Sequence, residues 1–135
     1  MKSLYIDPTM MSPEIDFNTD TCEFRITGQS ILTNVQLFYG PIIAWMEEYA
    51  SKPPKELVVI FNLNYYNLAS AKRFMFMVYI LSELKRKGCK VCIQWKFFKD
   101  DDFMREFGQD LSEHFDVPFE LVPFFNSALI PKMAS

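Results

Sequence analysis

The chain holds one histidine, four glycines and three cysteines in 135 residues, and each scarcity removes a class of chemistry. A nucleophile–base pair would have to use His114, which falls on a short polar segment with no serine or cysteine in a nucleophile setting, and it reads as a surface histidine. Phosphate-cradling loops need clustered glycines, and Gly28, Gly40, Gly88 and Gly108 form neither GxGxxG nor a P-loop. An odd cysteine count fits a reducing compartment. Cys89 and Cys92 lie around a predicted strand, away from the helix start that a redox CxxC pair occupies. No basic stretch exceeds Lys85-Arg86-Lys87 and the net charge is -3, which argues against nucleic acid as a partner. The N-terminus lacks an apolar segment of signal-peptide length, and the longest apolar run, residues 74–81, is far short of the roughly 20 residues of a membrane span. A cytoplasmic protein with no membrane insertion is expected.

Apolar mass, by contrast, is plentiful. Half the residues are hydrophobic, with 14 Phe and 8 Met, so a disordered chain is excluded and some of the surplus is available to face a partner. A chain this long should hide roughly 68% of its extended surface in one core. No repeat, linker or low-complexity stretch divides it, and residues 1–135 read as a single domain.

Glu14-Ile15-Asp16-Phe17-Asn18 and Glu23-Phe24-Arg25-Ile26-Thr27 alternate polar and apolar on either side of a turn at Asn18-Thr19-Asp20. They predict an N-terminal β-hairpin with Ile15, Phe17, Phe24 and Ile26 in the core. Val35, Phe38, Ile42, Trp45, Met46 and Tyr49 recur at helical spacing after a cap at Asn34, with Pro41 marking a kink or a late start. Residues 56–63 are dense enough in apolar side chains for a central strand buried on both faces. A second helix is predicted from about Ser70 to Lys87, closed by basic residues and Gly88. A strand over 90–95, a short helix opened by Asp100, Asp101 and Asp102, and an edge strand after Pro118 complete the order. The fold class is α/β, one mixed sheet with helices mainly on one face.

The segment Asn64-Tyr65-Tyr66-Asn67-Leu68-Ala69-Ser70-Ala71-Lys72-Arg73 links the central strand to the second helix, where α/β proteins place functional groups. Asn67 or Ser70 can cap that helix. Lys72 and Arg73 put cations near a helix end that already favours anions, so they either hold an anion such as an added phosphate or simply solvate the outer face. The run that follows is apolar all round. Phe74, Met77 or Val78, Leu81 and Leu84 should enter the core, while Met75, Phe76 and Tyr79 are either covered by another element or exposed as a docking surface. Two other readings are carried. One is a small-molecule sensor with a pocket of Tyr65, Tyr66, Trp95, Phe97 and Phe98; the other is a metal site at Asp100, Asp101 and Asp102, against which stands the commoner role of such carboxylates as a solvated helix cap.

Over about residues 4–124 the chain resembles the SiaC-like family of small bacterial regulators, whose fold is similar to the STAS anti-sigma-factor antagonists. The marks are Thr9 with Ser12-Pro13-Glu14-Ile15-Asp16-Phe17, Gly28-Gln29-Ser30, Asn34, Phe38-Tyr39-Gly40-Pro41 and Trp45. They continue through Tyr66-Asn67, Ser70, Trp95, Asp100-Asp101-Asp102, Met104, Glu106-Phe107-Gly108 and Val117-Pro118-Phe119. The tail over 125–135 lies beyond the match; with Phe124, its Phe125, Leu129 and Ile130 could cover a groove or touch another chain.

The resemblance implies a non-enzymatic partner switch without a cofactor. A kinase phosphorylates a threonine at the start of the second helix, a PP2C-like phosphatase removes the phosphate, and the unmodified form activates a diguanylate cyclase. This chain departs from that pattern at the decisive place. The family's Asn-Thr-Ser-Ser is here Asn67-Leu68-Ala69-Ser70, and the earlier Ser-Tyr-Pro-Glu-Asn is Ser30-Ile31-Leu32-Thr33-Asn34. Either Ser70 has become the acceptor, or the protein is permanently unphosphorylated and acts by its abundance. The second is expected, with Ser70 engaged in capping. Partner contacts are expected at Lys72, Arg73, Met75, Phe76 and Tyr79, beside the loop positions Tyr66, Asn67, Leu68, Ala69 and Ser70.

Overall fold

A computed structural model describes residues 1–125. Six strands form one sheet in the order β1-β2-β3-β4-β5-β6, which is also the order of the chain. They are β1 (Leu4–Ile6), β2 (Glu14–Asn18), β3 (Glu23–Ser30), β4 (Glu56–Tyr66), β5 (Lys90–Phe98) and β6 (Phe119–Phe124). Three helices, α1 (Val35–Ala50), α2 (Leu68–Arg86) and α3 (Asp102–His114), connect β3 to β4, β4 to β5 and β5 to β6. The β1–β2 and β2–β3 pairs are antiparallel and the three pairs after them parallel, so the helical crossovers carry the parallel half of a mixed sheet.

All three helices pack on one face. Ile15, Phe17, Phe24, Ile26, Leu57, Val59, Phe61, Leu63, Val91, Ile93, Trp95 and Phe97 supply the sheet side of the core, each no more than 3% exposed. Period-two alternation puts the intervening residues on the opposite face, and there the two-face burial expected of β4 does not hold. Val58 and Asn62 are half-buried on that side. Ile60 is buried there, between its register partners Arg25 and Gln94.

The hairpin core and the Asn34 cap are as read from the sequence: the Leu37 N–H donates to Asn34 Oδ1 at 3.1 Å. Pro41 lies inside α1, which neither starts late nor stops there. The strand β1 was not foreseen, because three residues are too few to show an alternation; it pairs with β2 from Leu4 opposite Phe17. Also, β3 runs on through Gly28, whose φ of +119° suits glycine, to deliver Ser30. Of the tail, only Phe125 is described, with Lys99 Nζ 5.3 Å from its ring centroid; Leu129 and Ile130 lie outside the described residues. No helix among the described residues is long and apolar enough to cross a membrane.

Candidate functional site

The link between β4 and α2 is a single residue. The sequence suggested a loop over 64–73, yet β4 continues to Tyr66 and α2 begins at Leu68, leaving Asn67 between them. Asn67 works in three directions. Its Oδ1 accepts from the Ser70 N–H at 3.0 Å, its Nδ2 donates to the Leu32 carbonyl at 2.9 Å, and its backbone N–H donates to the Ser30 carbonyl at 2.9 Å. The helix cap is therefore also a clamp onto the segment after β3.

Ser70 does not cap α2. Its side chain is fully buried in a chain of hydroxyls: Ser30 Oγ donates to Ser70 Oγ at 2.7 Å, Ser70 Oγ donates to the Ser30 carbonyl at 3.1 Å, and the Tyr39 hydroxyl lies 2.6 Å from Ser30 Oγ. Burial holds the Tyr39 hydroxyl well above the usual tyrosine range, against the smaller opposing effect of the Ser30 hydrogen bond. Ser30 and Tyr39 were not singled out as site residues. The spacing of Val35, Tyr39, Ile42 and Met46 was the available signal for Tyr39.

Immediately before Asn67 the sheet register shifts. Gly28 pairs with Leu63 and Gln29 with Tyr65, so Asn64 is left without a partner and β4 bulges. The alternation flips as a result. Leu63 is buried, Tyr65 swings out to 60% exposure, and Tyr66 returns to the core side, its ring 4.8 Å from Phe107 and 6.5 Å from Phe74. Asn64, Tyr65 and Tyr66 then line a cleft of about 350 Å3 with Asp101, Phe103 and Met104.

This cleft takes in two of the five residues of the alternative aromatic pocket, Tyr65 and Tyr66. Trp95 and Phe97 are core residues, 0% and 3% exposed, and Phe98 lies on the helix-free face against Phe124, so none of the three lines the cleft with Tyr65 and Tyr66, although Tyr66 shares the core side with Trp95 through Phe107. The acidic triplet is divided too. Asp101 caps α3 through Oδ1 to the Met104 N–H at 3.0 Å, and Asp102 pairs with Arg105 at 3.4 Å. Among the described residues no three His, Cys, Asp or Glu side chains are grouped to hold a metal ion.

On α2 the two faces separate as the sequence suggested. Phe74, Met77, Val78, Leu81 and Leu84 are buried. Outward lie Leu68 at 75% exposure, Met75 at 40%, Phe76 at 45% and Tyr79 at 48%, with exposed Lys72 between them, a single stripe at i, i+3, i+4 and i+7 from Lys72. Phe76 and Arg73 look into the groove shared with Gln36, Gly40 and Glu47 of α1, and Met75 into the one shared with Phe107, Asp110 and His114 of α3. Neither Lys72 nor Arg73 makes an ion pair among the described residues.

A family model described as SiaC family regulatory phosphoprotein matches residues 6–124. The chain belongs to the SiaC family. SiaC of Pseudomonas aeruginosa superposes with a TM-score of 0.84 at 23% identity, over 92% of this chain and 100% of its own. A crystal structure of the diguanylate cyclase SiaD in complex with its activator SiaC, from the same organism, gives 0.84 at 23% identity over 90% of this chain and 99% of that one. In sequence, an uncharacterized protein of P. aeruginosa strain UCBPP-PA14 is 24% identical over 121 residues, 90% of this chain and 96% of that protein.

Many of the residues that carry the SiaC-family resemblance hold the fold. The Trp95 indole N–H donates to the Met104 carbonyl at 2.9 Å, and a Cβ on Gly108 would fall 2.3 Å from Trp95 Cδ1, so α3 can lie on β5 only with glycine there. Thr9 Oγ1 accepts from the Ser12 N–H at 2.9 Å and turns the chain into β2 beside Gly28. Leu68 and Ala69, by contrast, are exposed and make no such contact.

Proposed function

We propose that this SiaC-family chain is a non-enzymatic regulator that works by binding a protein partner, a diguanylate cyclase or a cognate kinase, through the outward stripe of α2. The observation that carries this reading is the exposed row of Met75, Phe76 and Tyr79 on a helix whose other side is fully packed. A contiguous apolar stripe with unpaired cations beside it is surface kept for a partner rather than for the core. P. aeruginosa SiaC is the activator of SiaD in their complex, and the same kind of output is extended here to this chain.

Phosphorylation is proposed to be lost. Leu68 and Ala69 carry no hydroxyl, and Ser70 is fully buried, with its Oγ committed to Ser30. A phosphoryl group there would bring nearly two negative charges into a fully buried site and break the hydroxyl chain. A switching kinase and a PP2C-like phosphatase would have no exposed serine or threonine to act on at the start of α2, so output would follow the amount of protein.

The test is to titrate a purified diguanylate cyclase with the chain before and after incubation with kinase and ATP, taking an intact mass at each stage. Cyclase activity should rise with chain concentration and the mass should not change. A phosphate mapped to Ser70 would overturn the locked form, while neither binding to nor activation of the cyclase would overturn the partner reading.

A further inference from the structure

The cleft at the carboxyl end of β4 has a chemistry of its own, independent of the α2 stripe. Its walls are aromatic and its lining contains no cation: Asn64, Tyr65 and Tyr66 face Asp101, Phe103 and Met104. Phe103, the second residue of α3, is 83% exposed, so core packing does not require an aromatic ring there. An exposed ring at the head of a polar helix is surface that a guest would cover.

The one charged residue in the lining is a carboxylate, Asp101, and it makes no ion pair among the described residues. Asp101 uses Oδ1 for the Met104 N–H, which leaves its second oxygen able to accept from a guest. Asp100 and Asp102 flank it in sequence. The nearby basic residues are turned to other tasks, Arg105 to Asp102 and Lys99 to the Phe125 ring. With Asp102 paired to Arg105, the carboxylates of Asp100 and Asp101 remain to outweigh the roughly half unit of positive charge at the N-terminus of α3. The Tyr66 hydroxyl, which makes no hydrogen bond among the described residues, is held above the usual tyrosine range first by burial and then by Asp101 and Asp110.

Aromatic faces beside an unneutralised carboxylate select a cation, and a flat one can stack and donate hydrogen bonds together. We propose that this cleft receives an arginine side chain presented by a protein partner, its guanidinium stacked on Phe103 or Tyr65 and hydrogen-bonded to Asp101. A free amino acid or a nucleotide would also bring a carboxylate or phosphate, for which the lining offers no cation. An arginine side chain brings only the charge the cleft can satisfy. Lysine lacks the planar group that these two rings can cover.

The experiment uses the full-length chain and two peptides, acetyl-Gly-Arg-Gly-amide and its citrulline counterpart, followed by NMR chemical shifts. The arginine peptide should move the signals of Asn64, Tyr66 and Met104 and bind about tenfold more tightly than the isosteric neutral peptide. Asp101→Asn keeps a helix-capping side chain and so leaves α3 folded, yet should lose about tenfold in affinity. Phe103→Ala, at an exposed position, should weaken binding by a similar factor. Equal binding of both peptides, shifts that map away from the cleft, or no shifts at roughly tens of millimolar peptide would each overturn the proposal.

Discussion

Ser30 and Ser70 hold each other reciprocally across forty residues of chain, one hydroxyl donating to the other at 2.7 Å and the second returning to the first residue's carbonyl at 3.1 Å. Both side chains are fully buried. Ser70→Ala would leave the Ser30 hydroxyl without its acceptor, which costs about 1–3 kcal/mol in a buried site. Ser70→Asp should cost more, because it places a charge where no cation waits. Urea unfolding monitored by circular dichroism gives both values, and Ser70→Asp proving as stable as the native chain would contradict the packing described.

Position 68 offers the opposite case. Leu68 is the first residue of α2 and 75% exposed, so a hydroxyl installed there is open to a kinase and its phosphate would meet the helix N-terminus and Lys72. Leu68→Thr is expected to fold normally and to take up one phosphate from a cognate kinase where the native chain takes none. Intact-mass analysis reads the difference.

Met75 lies at the centre of the outward stripe of α2 and is 40% exposed. Met75→Glu should weaken binding to a diguanylate cyclase at least about tenfold while changing stability by less than about 0.5 kcal/mol, as exposed substitutions usually do. Calorimetric titration beside a thermal melt separates the two effects. Loss of the fold would place Met75 in the core and move the docking surface elsewhere.

The buried Tyr39 hydroxyl sets an alkaline limit. Its folded pKa lies above the unfolded value near 10, so its contribution is complete below about pH 10 and is lost as the pH rises toward the folded value. Above about pH 10 the native chain should lose up to roughly 1.4 kcal/mol of stability per pH unit from this group. Tyr39→Phe should start lower by about 1 kcal/mol and show a shallower decline. Denaturation series between pH 9 and pH 11 would give both slopes.

The parts of this fold legible in the sequence are those governed by local periodicity. Ile15, Phe17, Phe24 and Ile26 alternate, Phe74 to Leu84 recur at helical spacing, and Asn34 precedes its helix as a cap, because each depends on neighbours within a few residues. What was not legible depends on partners far along the chain. Ser70 read as a capping serine because its partner, Ser30, belongs to a strand whose end the turn signal at Gly28 concealed. Of the alternative aromatic pocket only Tyr65 and Tyr66 line a cleft, because β5 commits Trp95 and Phe97 to the core and turns Phe98 to the other face against Phe124. The outward stripe was visible as an all-round apolar run, but whether it was covered depended on where α1 and α3 settled.

A sheet whose spatial order equals its chain order has a consequence for how the molecule is made. Each strand from β2 onward docks beside the strand synthesised just before it, so no segment has to wait for a later one before it can pair. Such a chain can assemble in step with translation, growing at one edge as it leaves the ribosome. The cross-link between Ser30 and Ser70 would then close once α2 has emerged, before β6 is available to finish the sheet.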